Sequence, residues 1–495
     1  MNNDTIFALS SGHGKSGVAV IRISGDNLRD TFTRFVFPFA GEGVSRKCAT
    51  GGIPPHRGGG ANATGGIPPH RGGGANATGG IPPHRGGGAN ATGGVTPRHA
   101  YFCNLTNTAG DLIDQCLAIY FPAPHSFTGT DIIELHTHGA PATINATFEY
   151  LKTLGMRMAT PGEFSRRAFY NNKMDLADVD GLAALLDAQT DVQRKHALKS
   201  MLGRDSEIYS TWREQMVEIS AYAAAILDYS PDDLPANIGE TIRTRTEKLY
   251  NEINTALNNY HTSRAIRGGI NVALVGETNV GKSSIFNYLA GSNRAIVSDI
   301  AGTTRDVVSI NLDIDGYLIN LSDTAGLRET DDEIESIGIE RTKSEIENAD
   351  IILHIYSPSS GEGVSQSRRG SGNEIIIINK SDLLSKSELC TLNFEHCIYV
   401  SAHTGDGMDT LLNTLRAKIH EIMDGAENAL TINARTKSLL ESARDELGAA
   451  LDADDNYDIF AEHTRRAADA IGKILGTITT TEVLDKTFGQ LCLGK

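Results

Sequence analysis

Long apolar runs are missing from this chain, and no stretch reaches the roughly 20 residues that a membrane-spanning helix needs. The opening segment, MNNDTIFALS, has neither a basic start nor an extended apolar stretch, so the expectation is a cytoplasmic protein without membrane contact. Excess positive charge is missing too. Against 61 Asp and Glu stand 45 Lys and Arg, a net charge of −16. That excludes broad electrostatic attraction to nucleic acid, and any RNA contact needs a local basic patch or a partner. Cysteine is scarce: Cys48, Cys103, Cys116, Cys390, Cys397 and Cys492 contain no C-x-x-C spacing. A zinc ribbon and a disulfide framework are both disfavoured, which fits a reducing cytosol. The remaining composition is ordinary for globular proteins, and 495 residues leave room for about two to four domains.

What is present is concentrated between Asn271 and Ala402. The run NVALVGETNVGKSS is an apolar strand leading into a glycine turn and a helix. Gly276, four further residues, then Gly281-Lys282-Ser283 complete the G-x-x-x-x-G-K-[ST] pattern. Backbone N–H groups of Asn279, Val280, Gly281 and Ser284 turn toward phosphate oxygens, with the positive end of the helix behind them. Lys282 adds charge for the outer phosphates, and the Ser283 hydroxyl is a ligand for Mg²⁺. Four more elements follow in order. The segment Gly302-Thr303-Thr304-Arg305-Asp306 carries Thr304, a second hydroxyl for Mg²⁺. Asp323-Thr324-Ala325-Gly326 ends an apolar strand, placing a carboxylate near the metal and a backbone N–H near the γ-phosphate. Asn379-Lys380-Ser381-Asp382 follows the buried-strand run EIIII, and Asp382 accepts from N1–H and the 2-amino group of guanine. Ser401-Ala402 follows CIYV and offers an N–H to the guanine O6. Adenine presents neither pattern, so the base choice is chemical. Five elements in register predict a guanine-nucleotide-binding domain.

The rest of the chain divides around that block. GVAVIRISG reads as a strand and DNLRDTFTRF as a helix. Arg22 within the strand is either an ordinary edge arginine or an anion clamp. Residues 51–92 are three copies of GGIPPHRGGGANAT, rich in Gly and Pro with one Ile per unit. That composition predicts a duplicated, unstructured surface loop rather than a solenoid. QCLAIYFP and DIIELHTHG read as strands, PATINATFEYLKTLG as an amphipathic helix. Glu134 stands beside His136 and His138, which share a strand face. With no third ligand in view, a structural or polar-pocket role is expected for both. Segments near 174–203, 205–229 and 237–262 are helical, with SPDDLP as the strong break, and helical pattern resumes at about Ala429. The fold expected is multidomain: an α/β unit at 1–171, a helical domain split into 172–266 and 426–495, and a P-loop GTPase domain with a mostly parallel sheet inserted at 267–425.

These residues resemble the MnmE (TrmE) family of tRNA-modification GTPases. The resemblance rests on IRISG, SFTGTDIIELHTHG, PGEFSRRAFYNNKMDL, GETNVGKSS, DIAGTTRD, DTAGLRETDDEIESIGIER, NKSD and the terminal Cys492-Leu493-Gly494-Lys495. It implies an N-terminal domain that forms a homodimer and binds a 5-formyltetrahydrofolate-type folate at positions matching Arg22, Glu134, Lys173 and Lys495. It implies a flavoprotein partner, MnmG (GidA), in a heterotetramer. Together they add a carboxymethylaminomethyl-type group to carbon 5 of the wobble uridine of certain tRNAs. It also implies a K⁺ ion between paired G domains, held by Asn279, Ser298, Ile300 and Thr303, in place of an arginine finger. Glu335 matches the residue that helps align the attacking water. Arg305 is a cationic stabiliser or a switch-loop surface arginine, and Cys492 a reactive thiol or a packing residue. Departures from the family pattern are Thr278 in the P-loop, Leu491 before the terminal cysteine, and His354 and Tyr356 on an otherwise apolar strand. The alternative is a ribosome-assembly or regulatory GTPase without folate chemistry, for which a basic RNA-binding appendage is the discriminating feature.

Overall fold

The computed structural model describes residues 4–12, 14–36, 95–292, 294–296, 308–323, 346–358, 373–384, 397–453 and 456–476. The repeats of 51–92 lie outside these residues. The chain divides into two compact units, residues 1–160 and 161–493.

The first unit is a six-stranded sheet backed by two helices. In chain order it runs β1 (Ile6–Leu9), β2 (Ser16–Gly25), α1 (Arg29–Val36), β3 (Ala100–Thr106), β4 (Leu112–Phe121), β5 (Asp131–Gly139), α2 (Pro141–Thr153) and β6 (Arg157–Met158). The strand order is β3-β4-β5-β2-β1-β6. All pairs are antiparallel except β1 with β6. Side chains alternate across such a sheet. Ala19, Ile21 and Ile23 of β2 and Ile133 and Leu135 of β5 therefore enter one core with Phe7, Phe32 and Leu151. Arg22, Glu134 and His136 fall on the opposite face.

The second unit joins helices to a second sheet. Its helices are α3 (Glu163–Tyr170), α4 (Leu176–Asp187), α5 (Asp191–Met201), α6 (Arg204–Asp228), α7 (Ile238–Asn258) and α8 (Tyr260–Gly268). The single helix expected over 174–203 is two. Ala188 is extended, and Thr190 caps α5, accepting from the Gln193 N–H while the Gln193 side chain reaches back to the Thr190 N–H. Such a reciprocal box starts a new helix rather than continuing an old one.

The chain then forms β7 (Ile270–Val275), α9 (Lys282–Ser292), β8 (Arg294–Ile296), β9 (Val308–Ile314), β10 (Tyr317–Asp323), β11 (Ile351–Tyr356), β12 (Glu374–Ile378), β13 (Cys397–Tyr399) and α10 (Met408–Ile422). The sheet order is β13-β12-β11-β7-β10-β9-β8. The five strands from β13 to β10 are parallel, with β9 and β8 antiparallel at one edge. β7, flanked by β11 and β10, sits where the winding reverses, the usual place for a ligand crevice. The polar departures on β11 are accommodated: His354 Nδ1 lies 2.6 Å from Glu374 Oε1 of β12, and its ring stacks on Tyr356.

Two further helices, α11 (Ala434–Leu451) and α12 (Tyr457–Leu475), return to the helical domain. Their Leu440, Leu447, Phe460 and Ile471 share a core with Tyr209, Trp212, Met216, Leu249 and Ile253 of α6 and α7. The helix expected from about Ala429 begins at Ala434 instead. Residues 429–433 carry no helix, and helical side chains hold their backbone. Ala429 O accepts from Arg204 Nη2 at 2.6 Å and lies 2.8 Å from His196 Nε2. Leu430 O accepts from the Ser263 hydroxyl at 2.6 Å, which accepts in turn from Ile432 N. Asp205 accepts from Thr431 N at 3.0 Å. An apolar stretch such as ALTI has a helical look only while those partners are out of sight. Among the described residues, no helix is long and apolar enough to cross a membrane.

Candidate functional site

The turn after β7 needs its glycines. A Cβ on Gly276, whose φ is +155°, would stand 2.2 Å from Ile355 O, and one on Gly281 would stand 2.2 Å from Asn379 Nδ2. Asn279 takes the left-handed conformation at φ 62°, which asparagine tolerates better than most residues. Its side chain is exposed at the rim of the turn. Lys282 opens α9 and folds back over the loop, donating to Gly276 O and Glu277 O at 2.7 Å each. Burial pushes its ammonium pKa down, with Asp323 opposing the shift. The Ser283 hydroxyl donates to Asp323 Oδ2 at 3.0 Å. Asp323 ends β10 in register with Leu274 of β7, so the sheet itself brings this carboxylate to the start of α9. A hydroxyl and a carboxylate beside a buried lysine are a fitting donor set for Mg²⁺ and phosphate.

Asn379 is the brace between the loops. Only 2% exposed, it donates to Val280 O at 2.9 Å and accepts from Ala402 N at 3.1 Å. Lys380, left-handed at φ 61°, donates to Asn279 O at 2.7 Å. Asp382 is exposed, and the Ser401 hydroxyl holds its carboxyl below the usual range, so it stays an acceptor. Ser401 is fully buried and accepts from Thr404 N. Twelve of the residues expected at the nucleotide therefore gather around the C-terminal ends of β7, β10, β12 and β13: Asn279 to Ser284, Asp323, Asn379, Lys380, Asp382, Ser401 and Ala402. Ser298, Ile300, Thr303, Thr304, Arg305, Thr324, Ala325, Gly326 and Glu335 lie outside the described residues.

A second cluster stands on the sheet of the first unit. Arg22 and Glu134 are direct cross-strand partners. Arg22 donates to Glu134 Oε1 through Nε at 3.0 Å and Nη2 at 2.8 Å. His136 Nε2 is 3.5 Å from Glu134 Oε2, and the Phe127 ring centre is 5.7 Å from the guanidinium. His136 thus stands near the carboxylate without hydrogen-bonding it, while His138 turns to Asp114 at 2.7 Å. Among the described residues no group of three or more His, Cys, Asp or Glu is arranged to hold a metal. Lys173 is exposed in the second unit, just after α3. Cys492 and Lys495 lie outside the described residues. Phe127 gives no signal in the sequence: SFTGTD carries no periodicity, and only the fold brings it beside Arg22.

Comparison with known proteins bears on the whole chain. The family described as MnmE helical domain matches residues 176–492, and GTP-binding protein TrmE N-terminus matches 64–173. The tRNA modification GTPase MnmE of Parvibaculum lavamentivorans is 41% identical over 389 residues, covering 77% of this chain and 87% of the relative. That of Brucella ovis is 35% identical over 497 residues, covering 100% and 98%. The chain belongs to the MnmE family of tRNA-modification GTPases. Among solved structures, the G domain of the T. maritima FeoB iron transporter is 25% identical with a TM-score of 0.21, covering 31% of this chain and 98% of that one.

As an MnmE-family member the protein is a GTP-binding GTP hydrolase. The Gly276 and Glu277 carbonyls hold the lysine over the loop, and the Ser283–Asp323 pair holds a hydroxyl and a carboxylate at the start of α9.

Proposed function

We propose that this MnmE-family GTPase acts with the flavoprotein MnmG to build a carboxymethylaminomethyl-type group at carbon 5 of the wobble uridine in certain tRNAs. In this reading the α/β unit (1–171) forms a homodimer and binds a 5-formyltetrahydrofolate-type folate. The helical domain (172–266 and 426–495) carries the inserted G domain (267–425).

The Arg22–Glu134 cluster is the observation that carries the folate reading. It offers a carboxylate acceptor, a guanidinium fork and an adjacent aromatic ring on one half-buried sheet face. A pterin presents a planar ring with N–H donors, and a folate tail ends in carboxylates, so the donor set fits. When bound, the folate supplies a one-carbon unit. Glu134 accepts from the ring N–H groups, and Arg22 fixes the carboxylate. Lys173 and Lys495 offset the charge of the tail. Cys492 supplies a thiol at the modification centre.

At the nucleotide, Asn279 at the loop rim serves as a K⁺ ligand, with Ser298, Ile300 and Thr303 completing the shell when two G domains pair. Ser283 and Thr304 hold Mg²⁺, and Glu335 aligns the attacking water. Charge developing on the phosphates is stabilised by fixed groups in a site closed to water. Arg305 is the fallback cation.

The test is mass analysis of tRNA nucleosides from a strain lacking the chain, complemented with wild type or with Cys492→Ser. Wild type restores the 5-substituted uridine. The serine variant hydrolyses GTP at close to the wild-type rate and restores little or none. Normal wobble modification in the deletion strain would sink the reading. Normal modification with Cys492→Ser would reduce that residue to packing.

A further inference from the structure

Two thiols far from the nucleotide site face each other across a strand pair. Cys103 on β3 and Cys116 on β4 are direct partners in the antiparallel register. Their sulfurs are 3.5 Å apart, and both residues are only 3% exposed. The third cysteine among the described residues, Cys397, belongs to β13 in the other unit. Nothing in the nucleotide or Arg22–Glu134 chemistry uses this pair. We propose that Cys103 and Cys116 form a modification site, a cross-strand dithiol that a peroxide converts to a disulfide.

Three features favour the bond. Direct cross-strand partners hold their Cβ atoms about 4.5–5.5 Å apart. A disulfide asks for roughly 3.5–4.5 Å, so a small inward shift of β3 suffices. Among the described residues β3 is the edge strand of its sheet, with neighbours on one side only. Its register slips between Leu105 and Thr106, and the residues flanking Cys103, Phe102 and Asn104, are exposed. Edge strands open locally at a small fraction of the cost of global unfolding, which gives a small oxidant access to a thiol that is otherwise covered. The position also divides the labour. Cys103, on the outer strand between exposed Phe102 and Asn104, is the thiol that local opening uncovers first, and Cys116, 3.5 Å away, is placed to resolve it.

The chemistry balances. The Cys103 thiolate attacks one peroxide oxygen; an S–O bond forms and the O–O bond breaks. The departing hydroxide takes a proton and leaves as water, and Cys103 becomes a sulfenic acid. Cys116 then attacks the Cys103 sulfur, losing its proton; an S–S bond forms, the S–O bond breaks and a second water leaves. Two thiols are oxidised by two electrons and one peroxide is reduced to two waters. The product ties the edge strand to its neighbour and constrains the unfolded chain.

The experiment uses the full-length protein. It is exposed to hydrogen peroxide under native conditions, its remaining thiols are alkylated, and it is digested with trypsin. Both cysteines lie in one peptide, His99–Lys152. The expected product is that peptide with two hydrogens fewer and no alkyl group on either cysteine, while Cys397 remains alkylated. Oxidation should raise the unfolding temperature of wild type by about 5 °C, and reductant should reverse the gain. Cys103→Val, or Cys116→Ala should the first fold poorly, should lose both the mass change and the thermal shift. Full alkylation of both thiols after treatment of the folded protein overturns the proposal. So does a bond that forms only in denaturant, or an equal thermal gain in a single-cysteine variant.

Discussion

The nucleotide loops and the Arg22–Glu134 cluster hold their polar groups by different means. Around the P-loop the backbone does the holding. Asn379 grips Val280 O and Ala402 N, Lys380 grips Asn279 O, and Lys282 grips Gly276 O and Glu277 O. In the first unit register does it: Arg22 meets Glu134 because β2 and β5 pair, 112 residues apart in sequence. A site built on loop backbone tolerates changes in side chains that do not brace it and depends steeply on those that do. A site built on register keeps its frame when one side chain changes and loses only that side chain's chemistry.

The sharpest way to probe the loop site is its cation. GTP turnover should be faster in K⁺ than in Na⁺ at equal ionic strength by up to the order of 10³. Asn279→Ala should lose most of that response while keeping nucleotide affinity. A turnover series in KCl and NaCl decides it, and equal rates in the two salts would shift attention to Arg305. Next in size is the base site. Asp382→Asn should weaken GTP binding by about 1.5–3 kcal/mol and favour xanthine nucleotides, because an amide donates where the carboxylate accepted. Unchanged affinity in a titration would remove Asp382 from the base site. The register site should respond independently. Glu134→Gln is expected to lower 5-formyltetrahydrofolate affinity by roughly tenfold, one charge-assisted bond's worth. GTP turnover by the same protein should not move. A matching loss in both would mean that the two regions are not separable.

The smallest effect concerns the extended segment 429–433 before α11. His196 is buried against Ala429 O, and burial depresses its pKa. The unfolded chain therefore takes up the proton first as acidity rises. Stability from neutral His196 is complete above about pH 6.5, and it drains away as pH falls from there toward the depressed folded value. His196→Gln, which can still donate to Ala429 O, should flatten that part of a melting-temperature profile. An unchanged slope would place the titration elsewhere.

The G motifs were legible because each is contiguous and its chemistry is local: strand, turn and phosphate-facing helix follow one another between Ile270 and Ser292. β2, β5 and α2 were legible from alternation and helical spacing. The split at Ala188–Thr190 was hidden because Ala and Gln suit helices, and only the reciprocal Thr190–Gln193 bonds reveal a new start. The extended run at 429–433 was hidden because its partners, His196, Arg204, Asp205 and Ser263, lie more than 160 residues upstream. The scattered cysteines concealed the Cys103–Cys116 contact for the same reason: strand register, not spacing, creates it.

The split of the helical core in sequence also orders events at the ribosome. Helices α6 and α7 emerge before Gly268, yet their core is completed by Leu440, Leu447, Phe460 and Ile471, which follow the whole G domain. At roughly 5–20 residues per second, the intervening chain takes on the order of 10 s to synthesise. Through that interval the apolar faces around Tyr209, Met216 and Leu249 wait without their partners, while the G domain has time to fold by itself. Chains truncated just before Ala434 and released from the ribosome should therefore already bind guanine nucleotide and should still expose a sticky helical surface to chaperones.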